Sequence, residues 1–288
     1  MKAIYKRELG SYFQSMTGYL FISVLTAVAG IYFMAYNLNA GYPYFSYALS
    51  GTMFILIISI PILTMKSFAE ERKSKSDQLL LTSPVTVFDI VLGKYMAMAT
   101  VFAVPNLIFC MFPLIIKAEG NAYLKVDYLS ILVYFLLGCV YIAVGMFVSS
   151  LTESQIIAAV GSFGALLILF LWDSLVGFLP SGAFACMIGM IAFASLLVYF
   201  VHQMMKNWIV TGILEGVVVI IAFAVYFVKS SLYEGLLEKF FGKLSLYSVF
   251  SDIASNHLLD VSGLFVFLSM IVIFIFLTIQ SIQKRRWS

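Results

Sequence analysis

Eight long apolar runs dominate the chain: Met16–Leu38, Phe45–Met65, Leu92–Ile116, Tyr128–Leu151, Ile156–Leu179, Ala183–Val201, Trp208–Val228 and Leu259–Ile282. Each is close to or above the roughly 20 residues that an α-helix needs to cross a bilayer. The runs are continuous and do not alternate with period two, which argues against a β-barrel. The chain is 62% hydrophobic and 11% charged, less than half the roughly 25% charge of a soluble domain. Such a chain cannot cover itself with polar groups in water. A soluble enzyme, a disordered tail and a nucleic-acid-binding domain are therefore set aside, and a formal charge of +3 calls for no nucleic-acid partner. The expected fold is an all-α polytopic membrane protein, one transmembrane domain over residues 1–288.

The fifth and sixth runs are separated only by Pro180-Ser181-Gly182, a turn-forming string. The alternative is one broken re-entrant unit, which leaves six or seven spans. Ala27-Val28-Ala29 resembles a signal-cleavage site, but the apolar run continues past it to Leu38, longer than a signal h-region. With the N-terminus inside, twelve of the 17 lysines and arginines lie on the cytoplasmic side, so the positive-inside rule places both termini in the cytoplasm. Cys110, Cys139 and Cys186 all sit in apolar runs and read as packing residues.

Three segments lie outside the spans. In residues 1–15, Ile4, Tyr5, Leu9, Tyr12 and Phe13 recur at helical spacing with Lys2, Lys6, Arg7 and Glu8 between them, the pattern of a helix in the interface plane. Residues 66–91 are the one long polar stretch expected inside. Their first half extends the second span, and Ser83-Pro84 then predicts a short helix with Val85, Phe88 and Ile90 as its apolar face. That helix is either a solvated loop element or a contact for a cytosolic partner. Residues 229–257 form the extracytoplasmic amphipathic segment, with Leu232, Leu236, Phe240 and Leu244 repeating every four residues.

Few residues here can carry chemistry. Asp173 and Glu215 are acids within apolar runs, which makes them candidates for a translocation pathway. Asp173 lies near the outer end of its span, while Glu215 snorkels or pairs with Lys206 or His202. His202 and His257 flank spans, as interfacial solvation would place them. No metal site and no catalytic constellation is apparent. Glu70, Glu71 and Arg72 read either as a solvated charge run or as a charged patch facing a partner. Pro61, Pro105 and Pro113 lie within spans and can kink them. Gly138 and Gly145, with Gly161 and Gly164, allow close helix contact, within the chain or along a dimer seam.

Four stretches also carry a family resemblance. Phe68-Ala69-Glu70-Glu71-Arg72-Lys73, followed by Asp77-Gln78-Leu79-Leu80-Leu81-Thr82-Ser83-Pro84-Val85, resembles the permeases of ABC-2-type transporters. Ile90-Val91-Leu92-Gly93-Lys94-Tyr95 is similar to that family's entry into its third span. The two ends, Lys6-Arg7-Glu8-Leu9 and Lys284-Arg285-Arg286-Trp287-Ser288, are similar to its start and finish, and the nearest likeness is to the gliding-motility-like and copper-processing-like permeases.

The resemblance implies an ABC-2 (type V) exporter-like transmembrane domain in the bacterial cytoplasmic membrane. The family core has six helices, and the eight runs of this chain depart from it by an inserted pair at Ala183–Val201 and Trp208–Val228. A coupling helix would lie at Ser83–Asp89, and Glu70, Glu71, Arg72, Thr82, Ser83, Pro84, Val85, Phe88 and Asp89 would contact an ABC ATPase subunit. A second permease copy or a related permease would complete the pathway. A P-loop reads G-x-x-x-x-G-K-[ST], and neither Gly93-Lys94-Tyr95 nor Gly242-Lys243-Leu244 fits. The chain is therefore not expected to be an enzyme or to hold a cofactor, and ATP and Mg²⁺ belong on the partner. The competing functional readings are an ion-coupled secondary transporter or channel and a membrane scaffold.

Overall fold

A computed structural model describes residues 1–76, 85–205, 208–256 and 261–286. The described elements are helical, as a chain that must satisfy its backbone within a bilayer requires. They fall into two compact units, residues 1–170 with 246–288, and residues 171–245.

The larger unit opens with α1 (Lys2–Gln14) and α2 (Met16–Phe33), the latter ending in a π-helical turn at Met34–Asn39. Then come α3 (Ser46–Thr64), α4 (Lys66–Lys73), α5 (Val87–Phe109), α6 (Phe112–Glu119), α7 (Leu124–Leu151) and α8 (Gln155–Phe170). The core is built on α3 and α7. Tyr134 and Tyr141 of α7 and Leu49, Leu56 and Ile60 of α3 are fully buried. Thr52 bridges the two helices through its hydroxyl, 3.1 Å from that of Tyr134. Two of the four glycines read as contact points serve this packing. Phe102 lies where a Gly138 side chain would be, and Thr64 lies against Gly145, whereas Gly164 faces open space.

The smaller unit contains α9 (Trp172–Gly177), α10 (Ala183–Met205), α11 (Trp208–Val228), a 3-10 turn at Ser230–Leu232 and α12 (Leu236–Gly242). Its apolar centre gathers Cys186, Met187, Ala222, Tyr233 and Leu237. Two helices then complete the larger unit, α13 (Leu246–Asn256) and α14 (Val261–Arg286).

Four expectations change. Among the described residues five helices are long and apolar enough to cross a membrane, or six if Gly212–Phe227 and Ser230–Gly242, bent by 111°, form one span. The fifth run, Ile156–Leu179, is not one helix: α8 ends at Phe170 and α9 starts at Trp172. There the Trp172 indole donates to the Phe241 carbonyl at 2.8 Å, a distant anchor that hydropathy cannot register. The outer amphipathic helix is likewise interrupted. Gly235 adopts φ +65°, a left-handed conformation that suits glycine and stops the turn. Tyr233 and Leu237 are the buried residues there, while Leu232 and Phe240 of the anticipated stripe are exposed. Its last part, α13, instead buries Val249, Phe250 and Ile253 in the core of the larger unit.

The fourth change concerns the short helix at Ser83–Asp89. Thr86 is extended and caps α5, its hydroxyl accepting the Asp89 N–H at 3.2 Å. Phe88 and Asp89 thus form the first turn of the long helix α5. Thr82, Ser83 and Pro84 lie outside the described residues.

Candidate functional site

The charges of the larger unit concentrate at one end of its bundle, where α1, α4, the start of α5 and the end of α7 meet. Lys94 is the centre of this arrangement. It lies two turns into α5 and is only 2% exposed. Its ammonium sits 2.9 Å from Glu71 on α4 and 3.2 Å from Glu8 on α1, and 5.2 Å from the centroid of the Phe68 ring. Arg7 closes the circuit, reaching Glu71 at 3.0 Å and pairing with its neighbour Glu8. Two cations and two anions thus form a ring that joins three helices. The hydrogen bond to Glu8 and the nearby Glu71 raise the Arg7 guanidinium above its ordinary pKa, against the opposing effect of burial. A buried charge of this kind is tolerated only when paired.

Further contacts fix α1 against α5 and α3. Gly93 lets α1 approach α5 closely: a side chain there would stand 3.1 Å from Ile4. Tyr5 and Thr100 share a hydroxyl hydrogen bond at 3.1 Å. Tyr12 donates to the Leu63 carbonyl at 3.1 Å, near the end of α3. Burial, reinforced by Glu8, Glu71 and Glu70, pushes the Tyr12 phenol well above its usual pKa and keeps it a donor.

The joint between α3 and α4 is held from α7. Ser149 accepts from the Phe68 and Ala69 N–H groups, both at 3.3 Å, and donates to the Met65 carbonyl at 3.1 Å. Arg72 donates to the Ser150 carbonyl at 3.3 Å and pairs with Glu153 at 3.1 Å. A cation on the last carbonyls of a helix also favours its dipole.

A model of the ABC-2 family transporter proteins matches residues 3–279. The chain belongs to the ABC-2 transporter family. It is accordingly a multi-pass membrane protein and a membrane component of the ABC transporter class. No match was found among the curated proteins.

In this ABC-2 chain the residues singled out by sequence have different surroundings. Glu71 and Arg72 spend their charges inside the chain, on Arg7 and Lys94 and on Glu153 respectively. Glu70 is exposed, as is Phe88 at 55%. Val85 is half-buried, and Asp89 accepts from the Thr86 hydroxyl at 2.9 Å with the N-terminal amine 3.9 Å away. In the smaller unit, Asp173 occupies the first turn of α9, where an acid suits the helix dipole. Glu215 on α11 accepts a hydrogen bond from Ser195 on α10, which ties that helical hairpin together. Lys206, one partner suggested for it, lies outside the described residues.

Sequence reasoning missed the roles of Arg7, Glu8, Lys94, Tyr12 and Ser149. Lys94 carried a usable signal. It follows Gly93 within an apolar run, where a cation needs anions supplied from other helices.

Proposed function

We propose that this chain is the membrane-spanning permease subunit of an ATP-driven exporter in the bacterial cytoplasmic membrane, with ATP hydrolysed on a separate ATPase subunit. The ATPase docks at the charged end, against the exposed Glu70 and Phe88 and the connection between α4 and α5. A second copy of the chain or a related permease encloses the pathway.

The observation that carries this reading is the Arg7–Glu8–Lys94–Glu71 ring. It makes α1, α4 and α5 one mechanical piece. The Ser149 contacts and the Arg72 bond to the Ser150 carbonyl tie that piece to α7. A push on the α4–α5 connection is then delivered to the spans α3, α5 and α7 together, as a rigid-body movement requires. The concentration of lysine and arginine on this side supports its cytoplasmic placement.

The test is to purify the chain together with the products of its neighbouring genes. A P-loop ATPase should accompany it, and Glu70→Arg combined with Phe88→Ala should release that ATPase while the ion ring stays intact. Purification without any ATPase, together with ATP-independent transport in vesicles, would contradict the reading.

A further inference from the structure

A polar cleft of about 370 Å³ opens beside the ion ring, between α1, the start of α2 and the α3–α4 joint. Its lining includes Ser15, Thr17, Lys66, Ser67 and Glu70 together with the ring residues. The ring neutralises itself: Arg7 and Lys94 are matched by Glu8 and Glu71. What remains in the cleft is one cation, Lys66, and one anion, Glu70. Among the described residues Lys66 has no carboxylate partner and reaches only the Thr17 hydroxyl, at 3.3 Å. Glu70 is exposed, and its carboxylate has no ion pair among the described residues.

Two further features favour a phosphate on the Lys66 side. The N-terminus of α2, an 18-residue helix, opens beside the cleft, and its cap residue Ser15 makes no side-chain capping bond. First-turn N–H groups in that state favour an anion. Independently, the Ser67 hydroxyl is a buried polar group with no partner, on a residue only 3% exposed that lines the cleft. A buried hydroxyl without a partner is costly, and a bound acceptor oxygen would relieve it.

We propose that this cleft binds the headgroup of a zwitterionic phospholipid carrying a primary ammonium, a phosphoethanolamine lipid. The phosphodiester sits on Lys66, Thr17, Ser67 and the start of α2, and the ammonium sits on Glu70. The cleft lies where α1 passes into the first span, at the level of lipid headgroups. One free positive and one free negative charge match a neutral headgroup better than an anionic one, whose net charge Glu70 would repel. A quaternary choline has no N–H to donate to Glu70, so ethanolamine is preferred. The inference rests on the membrane placement of the chain; it shares Glu70 with the proposed ATPase contact, and a titration of the chain alone reads the lipid without the ATPase.

The test is native mass spectrometry of the full chain, delipidated in detergent and titrated in parallel with phosphatidylethanolamine, phosphatidylcholine, phosphatidylglycerol, soluble glycerophosphoethanolamine and inorganic phosphate. One phosphatidylethanolamine should bind about tenfold more tightly than phosphatidylcholine, the worth of one charge-assisted hydrogen bond. Glu70→Gln should erase that preference while a lipid still binds, and Lys66→Gln should remove the bound lipid. Glu70 is exposed, so its variant carries the test even if Lys66→Gln is not recovered folded. Equal binding of the two lipids by the wild type, or an undiminished preference in Glu70→Gln, would overturn the assignment. Binding of inorganic phosphate as tight as that of the lipid would overturn the lipid source.

Discussion

The charged end of the larger unit and its opposite end close the same bundle with different chemistry. At the charged end, four ionised side chains from α1, α4 and α5 meet around the buried Lys94. At the opposite end no such ring forms among the described residues. There Asp127 is fully buried at the start of α7 and accepts the Phe45 N–H at 2.8 Å, on the entry to α3. Asn37 donates to the carbonyls of Tyr42 and Tyr44 at 2.8 and 2.9 Å. Tyrosine rings cover this end, with Tyr32 stacked on Tyr36 and Tyr44 on Tyr123. Aromatic rings of this kind suit a membrane interface. The tyrosine end is fastened by single hydrogen bonds and ring stacking, of which the Asp127–Phe45 bond joins α7 to the entry of α3, whereas the charged end fastens three helices through one four-membered ion ring. That difference is what a part that must move as a piece requires, and it supports placing the motor contact there.

The comparison predicts unequal costs. Lys94→Met should be the most damaging change, leaving Glu8 and Glu71, both half-buried, with only Arg7 between them. The expected loss is about 3 kcal/mol, read as a lowered thermal unfolding temperature of the purified protein. Adding Glu71→Gln to Lys94→Met should recover part of that loss, because the two sites are coupled through the ring. Simple addition of the two single losses would show that the ring does not act as a unit.

At the tyrosine end, Asp127→Ala should cost about 1–2 kcal/mol, the price of one lost helix-entry acceptor. Asp127→Asn, which keeps an acceptor oxygen, should cost less on the same thermal assay. A loss at Asp127 exceeding that at Lys94 would invert the comparison. Smallest of all should be Arg72→Ala. Its partner Glu153 is 71% exposed, and exposed pairs contribute less than about 1 kcal/mol. Unfolding temperatures should barely move, even though Arg72 directly follows Glu71 of the ring.

Most of the larger unit was legible because its signals are local. Ile4 and Tyr12 are the buried residues of α1, as the spacing of apolar positions in the first 15 residues implied. Four early spans and the last follow from apolar length alone. The fifth run misled because Leu171 is as apolar as its neighbours, while the break beside it depends on Trp172 finding Phe241, 69 positions away. The outer stripe misled because Gly235 ends the helical register that a four-residue repeat assumes. The site was half legible. Glu71 was visible as a charge in the right segment, but its partner Arg7 lies 64 positions back in the chain. No spacing rule reaches that far, and so a residue that looked available to a partner protein proved to be held within its own chain.

The claim that the motor engages the charged end is tested most directly by photo-crosslinking. A photoreactive amino acid replaces Phe88 at the charged end in one variant and Tyr36 at the tyrosine end in another; both positions are exposed, at 55% and 38%. With the co-purified ATPase, the Phe88 variant should crosslink to it and the Tyr36 variant should not. An ATPase that co-purifies but crosslinks only through Tyr36, or through neither position, would contradict the account.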